Sequence, residues 1–123
     1  MEALSLSRKE MPIYKPETAI AVCLALCQVE LAILKAGYGR DAQFDAFTMI
    51  REPIKDDEID RYEDAETAQL ARDALQLFRC LNDWLSIFWV SPVTAASIEE
   101  KEKELGGLKL RFSAIFPAER HSL

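Results

Sequence analysis

The sequence predicts an all-α protein, a small bundle of four to five helices, and two observations support this. Five prolines and four glycines divide the 123-residue chain into successive segments. Helices accept proline in the first turn and glycine just past the end, so this punctuation is typical of consecutive helices. In the two longest segments, 17–36 and 57–89, apolar residues recur at helical spacing. We expect these two segments to form the main core helices.

Length and charge favour one soluble domain. We place it at 16–117, after an N-terminal arm (1–15) and before a C-terminal tail (118–123), because 123 residues suit a single domain. A net charge of −6 disfavours direct binding to nucleic acid. The apolar run 19–27 is interrupted by Gln28 and Glu30 before it reaches the length of a membrane span. We therefore expect a buried helix and no membrane contact.

The first predicted helix, 17–36, has two apolar faces where a surface helix needs only one. One face consists of Ile20, Cys23, Leu24, Cys27, Leu31 and Leu34. The second face lies nearly opposite and consists of Val22, Leu26, Val29 and Ile33. Glu30 marks a polar seam between them. The pattern predicts a helix that is covered on both sides.

Segment 40–52 has a weaker helical pattern than 57–89. It begins near a possible cap at Asp41, and the spaced apolar residues are Phe44, Phe47 and Ile50. The stripe of 57–89 consists of Leu70, Ala74, Leu77, Leu81, Trp84, Leu85 and Phe88. A helix of that length would span about 50 Å, so we expect a break near 62–65. Ile87 and Trp89 make its end unusually apolar, which suggests that another element or chain covers it.

The C-terminal part contains a short charged helix followed by an ambiguous segment. Ser97 and Glu100 form a capping-box pattern, and Gly106 is the expected stop of a helix over 93–105. Segment 108–116 fits both strand and helix periodicity. Because no other strand is evident, we favour a terminal helix or an apolar tail that packs on the bundle.

The cysteines and the histidine argue against a metal site and against catalysis. Cys23 and Cys27 lie one helical turn apart, and a metal would need further ligands from Cys80 or the sole histidine, His121. Buried cysteines more often act as small apolar residues. Three cysteines without a CxxC pair suit a reducing cytoplasm. We predict no cofactor, no metal and no enzymatic activity.

Seven acidic residues crowd the start of the second long segment. They are Asp56, Asp57, Glu58, Asp60, Glu63, Asp64 and Glu66. Acids at a helix start interact favourably with the helix dipole, so a solvated helix start is the simpler interpretation. A patch for a basic partner is the sharper one.

Three functional hypotheses follow. The first is a cytoplasmic interaction or regulatory protein that self-associates, as a homodimer, through Val22, Leu26, Val29 and Ile33 with Ile87 and Trp89. The second is an acidic inhibitor or immunity-type protein that docks residues 56–66 on a basic partner. The third is a carrier of an apolar ligand near Trp84 and Cys80.

Overall fold

A computed structural model describes residues 15–36, 51–87 and 93–117, and these ranges form helices and no strand. The all-α prediction is therefore confirmed. The helices are α1 (Pro16–Ala36), α2 (Asp56–Ile59), α3 (Ala65–Ile87) and α4 (Ala95–Ile115). Residues 40–50 of the predicted helix over 40–52, most of the N-terminal arm and the C-terminal tail lie outside the described residues.

The core lies where the three long helices meet. α1 packs against both α3 and α4, and α3 packs against α4. The short helix α2 contacts α3. Among the described residues, Phe78 on α3 is the largest fully buried side chain. Ile54 and Ile59 bring the short segment around α2 into the same core, at 0% and 1% exposure. Burying apolar surface in this way is the dominant favourable term in folding.

The helix α1 begins with Pro16, whose missing amide hydrogen costs nothing in the first turn. Its inner face is the first of the two predicted apolar faces. Ile20, Cys23 and Cys27 on that face are fully buried. The prediction that these two cysteines are core residues is confirmed.

The second long segment is broken where a break was expected. α2 ends at Ile59 and α3 begins at Ala65. A carboxylate oxygen of Asp64 accepts hydrogen bonds from the Thr67 backbone nitrogen at 3.0 Å and from the Thr67 hydroxyl at 2.6 Å. These bonds satisfy amide groups that an isolated helix start leaves open, so the capped helix begins just after Asp64.

The structure corrects two predictions for the C-terminal part. Thr94, not Ser97, caps α4, because the Thr94 hydroxyl accepts from the Ser97 backbone nitrogen at 3.1 Å. The helix does not stop at Gly106 but continues to Ile115. A glycine inside a helix costs about 1 kcal/mol, whereas burying a leucine contributes about 1.5–3 kcal/mol. Leu105 and Leu108 flank the glycines at 5% and 4% exposure, so their burial offsets that cost.

Segment 108–116 is thus helical, as favoured, but it is the second half of α4 and not a separate terminal element.

Candidate interaction surfaces

The outward side of α1 is an exposed apolar strip, which we call the α1 outer face. Val22 and Val29 each leave 45% of their surface exposed. The other exposed members are small or uncharged, namely Ala21, Ala25, Gln28 and Ala32. Between Thr18 and Leu34 the sequence has a single charged residue, Glu30. Because Glu30 is buried, α1 itself places no charged side chain on the outer face between Thr18 and Leu34.

The predicted self-association residues fall into three environments. Val22 and Val29 lie on the α1 outer face, whereas Leu26 is half-buried against the core. Ile33 is a core residue at 9% exposure, so this member of the second apolar face is covered by the same chain. Ile87 is the last residue of α3, and Trp89 and the side chain of Ile87 lie outside the described part of the chain.

Within the described residues, the chain itself leaves part of the second apolar face of α1 open, since Val22 and Val29 are exposed, and cover from a second copy stays a prediction. The second apolar face is thus divided between core and surface. Ile33 and Leu26 contact the core, whereas Val22 and Val29 are exposed. Helical periodicity places residues around the axis but does not specify how many neighbouring helices surround that axis.

Glu30 is not part of a polar seam, because its side chain is fully buried. Neither of its carboxylate oxygens has a hydrogen-bond partner among the described residues. Desolvation raises the pKa of this carboxyl from 4.5 to about 8, so the group is mostly protonated at neutral pH. The helical spacing already indicates that Glu30 is buried. Glu30 follows the core residue Cys27 by three positions and precedes the core residue Leu34 by four, so all three lie on one face of the helix.

Glu30 lies near the two core cysteines. The thiol of Cys27 donates a long hydrogen bond, 3.9 Å, to the carbonyl oxygen of Ala74 on α3. A hydrogen bond with Cys23 and burial raise the pKa of Cys27 well above its ordinary value. An inert, protonated thiol is the expected state of such a cysteine.

One edge of the α1 outer face is fixed to α4 by polar contacts. The Lys35 ammonium lies 3.1 Å from a carboxylate oxygen of Glu102. The Lys109 ammonium donates to the side-chain oxygen of Gln28. These contacts hold α1 at a fixed rotation against α4, which keeps Val22 and Val29 directed away from the bundle.

In the acidic segment, residues 56–66, three of the seven acids pair with arginines of the same chain. Arg79 on α3 lies 3.0 Å from Asp56, and Arg72 lies 3.2 Å from Asp60. Asp57 has a weaker pair with Arg61 at 3.9 Å, and Asp64 is engaged as the cap of α3. Four of the seven acids thus have partners within the chain.

The strongest of these ion pairs is centred on Arg79. Its guanidinium also donates to both carboxylate oxygens of Glu52, at 2.5 and 2.9 Å. This two-point hydrogen bond lowers the pKa of Glu52. Such charge-assisted, bidentate pairs are the stronger kind of surface contact. Arg79 therefore ties the segment before α2 to the middle of α3.

Two of the remaining acids, Glu58 and Glu63, line a cleft of about 600 Å³ between the start of α1, residues 58–64 and the end of α4. We call it the acidic cleft. Tyr62 and Phe116 line the same cleft. Burial, with a further contribution from Glu58, raises the pKa of Tyr62. No sequence pattern predicts this cleft, because its walls come from three distant parts of the chain.

The site expected near Trp84 and Cys80 is more polar than predicted. A cleft of about 460 Å³ includes Cys80 but not Trp84. Its charged lining residues are Asp73, Lys101, Glu104 and Arg111. Arg111 crosses to Asp73 at 2.8 Å, and the Lys101 ammonium lies 5.8 Å from the centre of a Trp84 ring. These charges make the cleft a poor container for an apolar molecule.

Two further features bear on function. Across the ranges described, no group of three or more histidine, cysteine, aspartate or glutamate side chains is placed to hold a metal ion.

By length and composition alone, α1 could cross a membrane. The core helix of a soluble protein and a signal sequence pass the same test.

Compared with models of protein families, with curated proteins and with solved structures, the chain matches none of them.

Proposed function

We propose that this protein is a non-enzymatic interaction or regulatory protein of the cytoplasm that pairs with a second copy of itself through the α1 outer face. The observation that carries the proposal is the absence of charge along that face. Its exposed valines, Val22 and Val29, lie on a helix whose only charged residue between Thr18 and Leu34 is buried. Solvated helix faces are normally charged or polar, so an uncharged one suits contact with another apolar surface.

The spacing on this face supports a helix as the partner. The exposed residues that follow a heptad pattern are Val22, Ala25, Val29, Ala32 and Ala36. Alternating steps of three and four place such residues in one seam, where they pack between the side chains of a facing helix. Alanines in the seam allow two helices to approach closely. A second copy of α1 supplies the same seam, and isologous pairs are the commonest soluble oligomers.

The size of the face sets the expected strength of this pairing. A helix of 21 residues is about 30 Å long, and an exposed strip about 10 Å wide covers about 300 Å² per copy. Stable interfaces bury about 1,200–2,000 Å² in total. The outer face alone therefore favours a weak, reversible dimer that forms at tens to hundreds of micromolar.

The cysteines are consistent with the proposed cytoplasmic location. Cys23, Cys27 and Cys80 are free thiols, and the first two are fully buried. A small chain that folds around unpaired cysteines suits a reducing compartment.

The acidic inhibitor hypothesis has less support from the structure. A docking patch needs carboxylates that are available to a partner, whereas Asp56, Asp57 and Asp60 pair with arginines of the chain. Displacing those arginines would cancel much of the gain from a new ion pair. We therefore place the acidic segment among the elements that hold the fold together.

The proposal is tested with substitutions on the outer face. Val22→Glu combined with Val29→Glu places two charges in the seam, and because both side chains are exposed in the single chain, the protomer should still fold. Light scattering after size exclusion should show dimer formation in the wild type at high loading concentration and a monomer in the double variant.

The matched control is Leu110→Glu, since Leu110 on α4 is 74% exposed and lies outside the α1 seam. This variant should associate as the wild type does. Equal association of the double variant and the wild type would overturn the proposal, and so would binding of the wild type to lipid vesicles in place of self-association.

A further inference from the structure

The acidic cleft has the size and walls of a small-molecule site. Its volume of about 600 Å³ lies within the range of about 300–1,000 Å³ that such sites occupy. Pro16, Tyr62 and Phe116 supply apolar surface. The Phe116 ring is braced by Phe112, with ring centres 5.1 Å apart. The walls thus come from helix ends that are packed and in defined positions.

The electrostatics of the cleft favour a cation. Four carboxylates line it, from Glu17, Glu58, Glu63 and Asp64, against two cations, Lys15 and Arg61. The starts of α1 and α3 add about half a positive charge each. The balance is still negative by about one charge, and a concave wall of low dielectric concentrates that field.

The carboxylates of the cleft do not have the same role. Asp64 is bound to Thr67 as the cap of α3, so it belongs to the fold. Glu58 and Glu63 line the cleft together with Tyr62, and Glu58 is close enough to the Tyr62 hydroxyl to raise its pKa. A carboxylate beside an aromatic ring suits an ammonium group, because the carboxylate supplies opposite charge and the ring face attracts cations.

We propose that the acidic cleft binds a small organic cation, an amine with an aromatic or short aliphatic body. Its ammonium group lies between the carboxylates of Glu58 and Glu63 and against the Tyr62 ring. Its body covers Pro16 and Phe116. This site uses neither the valines nor the alanines of the α1 outer face, so it stands or falls independently of self-association.

The test is a titration of the isotope-labelled full chain with phenethylammonium, followed by amide chemical shifts. Saturable shifts should appear at residues 58–67 and 116. The neutral isostere 2-phenylethanol should bind about fivefold more weakly, because it lacks the charge. In the Glu58→Gln/Glu63→Gln variant, the affinity for phenethylammonium should fall about fivefold and that for 2-phenylethanol should be unchanged.

Glu66→Gln is the matched control, because Glu66 belongs to the same acidic segment but does not line the cleft. Its affinity for phenethylammonium should stay within about twofold of the wild type, as expected for an exposed charge outside the site. Three results would overturn the proposal: no saturable shifts at the cleft, equal binding of the amine and the alcohol, or equal losses in the Glu66 variant and the double variant.

Discussion

The helix α1 and the acidic segment distribute charge in opposite ways. α1 buries its one mid-helix acid, Glu30, and exposes uncharged Val22 and Val29. The acidic segment exposes its carboxylates, but arginines and a cap occupy four of the seven. The segment that looks most like a docking patch in the sequence is thus satisfied within the chain, whereas the helix that looks like core exposes an apolar face.

This contrast shows that exposure alone does not identify an interaction surface. A charged group in water, or one paired with Arg72 or Arg79, gains little from a new partner. An apolar face in water gains free energy in proportion to the area that a partner removes from solvent. In the described part of the chain, the α1 outer face is therefore a surface with free energy to gain from an apolar partner.

The largest expected effect concerns Glu30. Its pKa is about 8 in the folded chain against an ordinary 4.5, so the folded state holds an extra proton between those pH values. Stability should therefore fall as pH rises through that window, by about 5 kcal/mol in total. Denaturant titrations from acid to mildly alkaline pH should show that Glu30→Gln loses this part of the pH dependence.

A matched control for Glu30 is Glu66→Gln, an exposed acid whose change should leave the pH profile of the wild type intact. If Glu30→Gln and the wild type lose stability in parallel as the pH rises, the buried carboxyl has found a partner and the contrast between the two regions is weaker than described.

A smaller effect is expected at Arg79, which pairs with both Glu52 and Asp56. Arg79→Ala should lower the free energy of unfolding by about 1 kcal/mol, and most of this difference should disappear at high salt. Arg72→Ala removes only the pair with Asp60 and should cost less. No loss in either variant would mean that the acids are available to an external partner.

The smallest expected effect concerns the cap of α3. The bonds from Thr67 lower the pKa of Asp64, so its stabilisation is present above the ordinary pKa of an aspartate and is lost as pH falls through the lowered value. Asp64→Ala should lower the unfolding midpoint near neutral pH, and Asp64→Asn, which can still accept the bonds, should restore most of it. Equal midpoints for Asp64→Ala and the wild type would contradict the assigned cap.

Much of the fold could be predicted because helix punctuation and apolar spacing are local properties. They placed α1 to within one residue and anticipated the break before Ala65. The predicted helix end at Gly106 was wrong. The helix continues through this residue because the free energy gained by burying Leu105 and Leu108 on either side exceeds the cost of a glycine inside a helix. The cap was misplaced because Thr94 and Ser97 are both good cap residues, and only the backbone direction selects Thr94.

The interaction surfaces were less predictable, because they depend on which elements meet in space. The periodicity found the valines of the outer face but grouped them with Ile33, which is buried. The pairing of Arg79 with Glu52 spans 27 positions, and no spacing rule connects them. The acidic cleft is lined by both Pro16 and Phe116, which are far apart in the sequence and come close together only when the chain folds.

The central claim, that the α1 outer face pairs with a second copy, is tested most directly by sedimentation equilibrium of the unaltered chain. The measurement covers about 10 μM to 1 mM, the range in which a contact of this size should dissociate, at low and high salt. We expect the mass to rise reversibly from 14.0 kDa toward twice that value, with no weakening at high salt, because the seam is uncharged. A mass of 14.0 kDa at every concentration, or a dimer that high salt dissociates, would contradict the account.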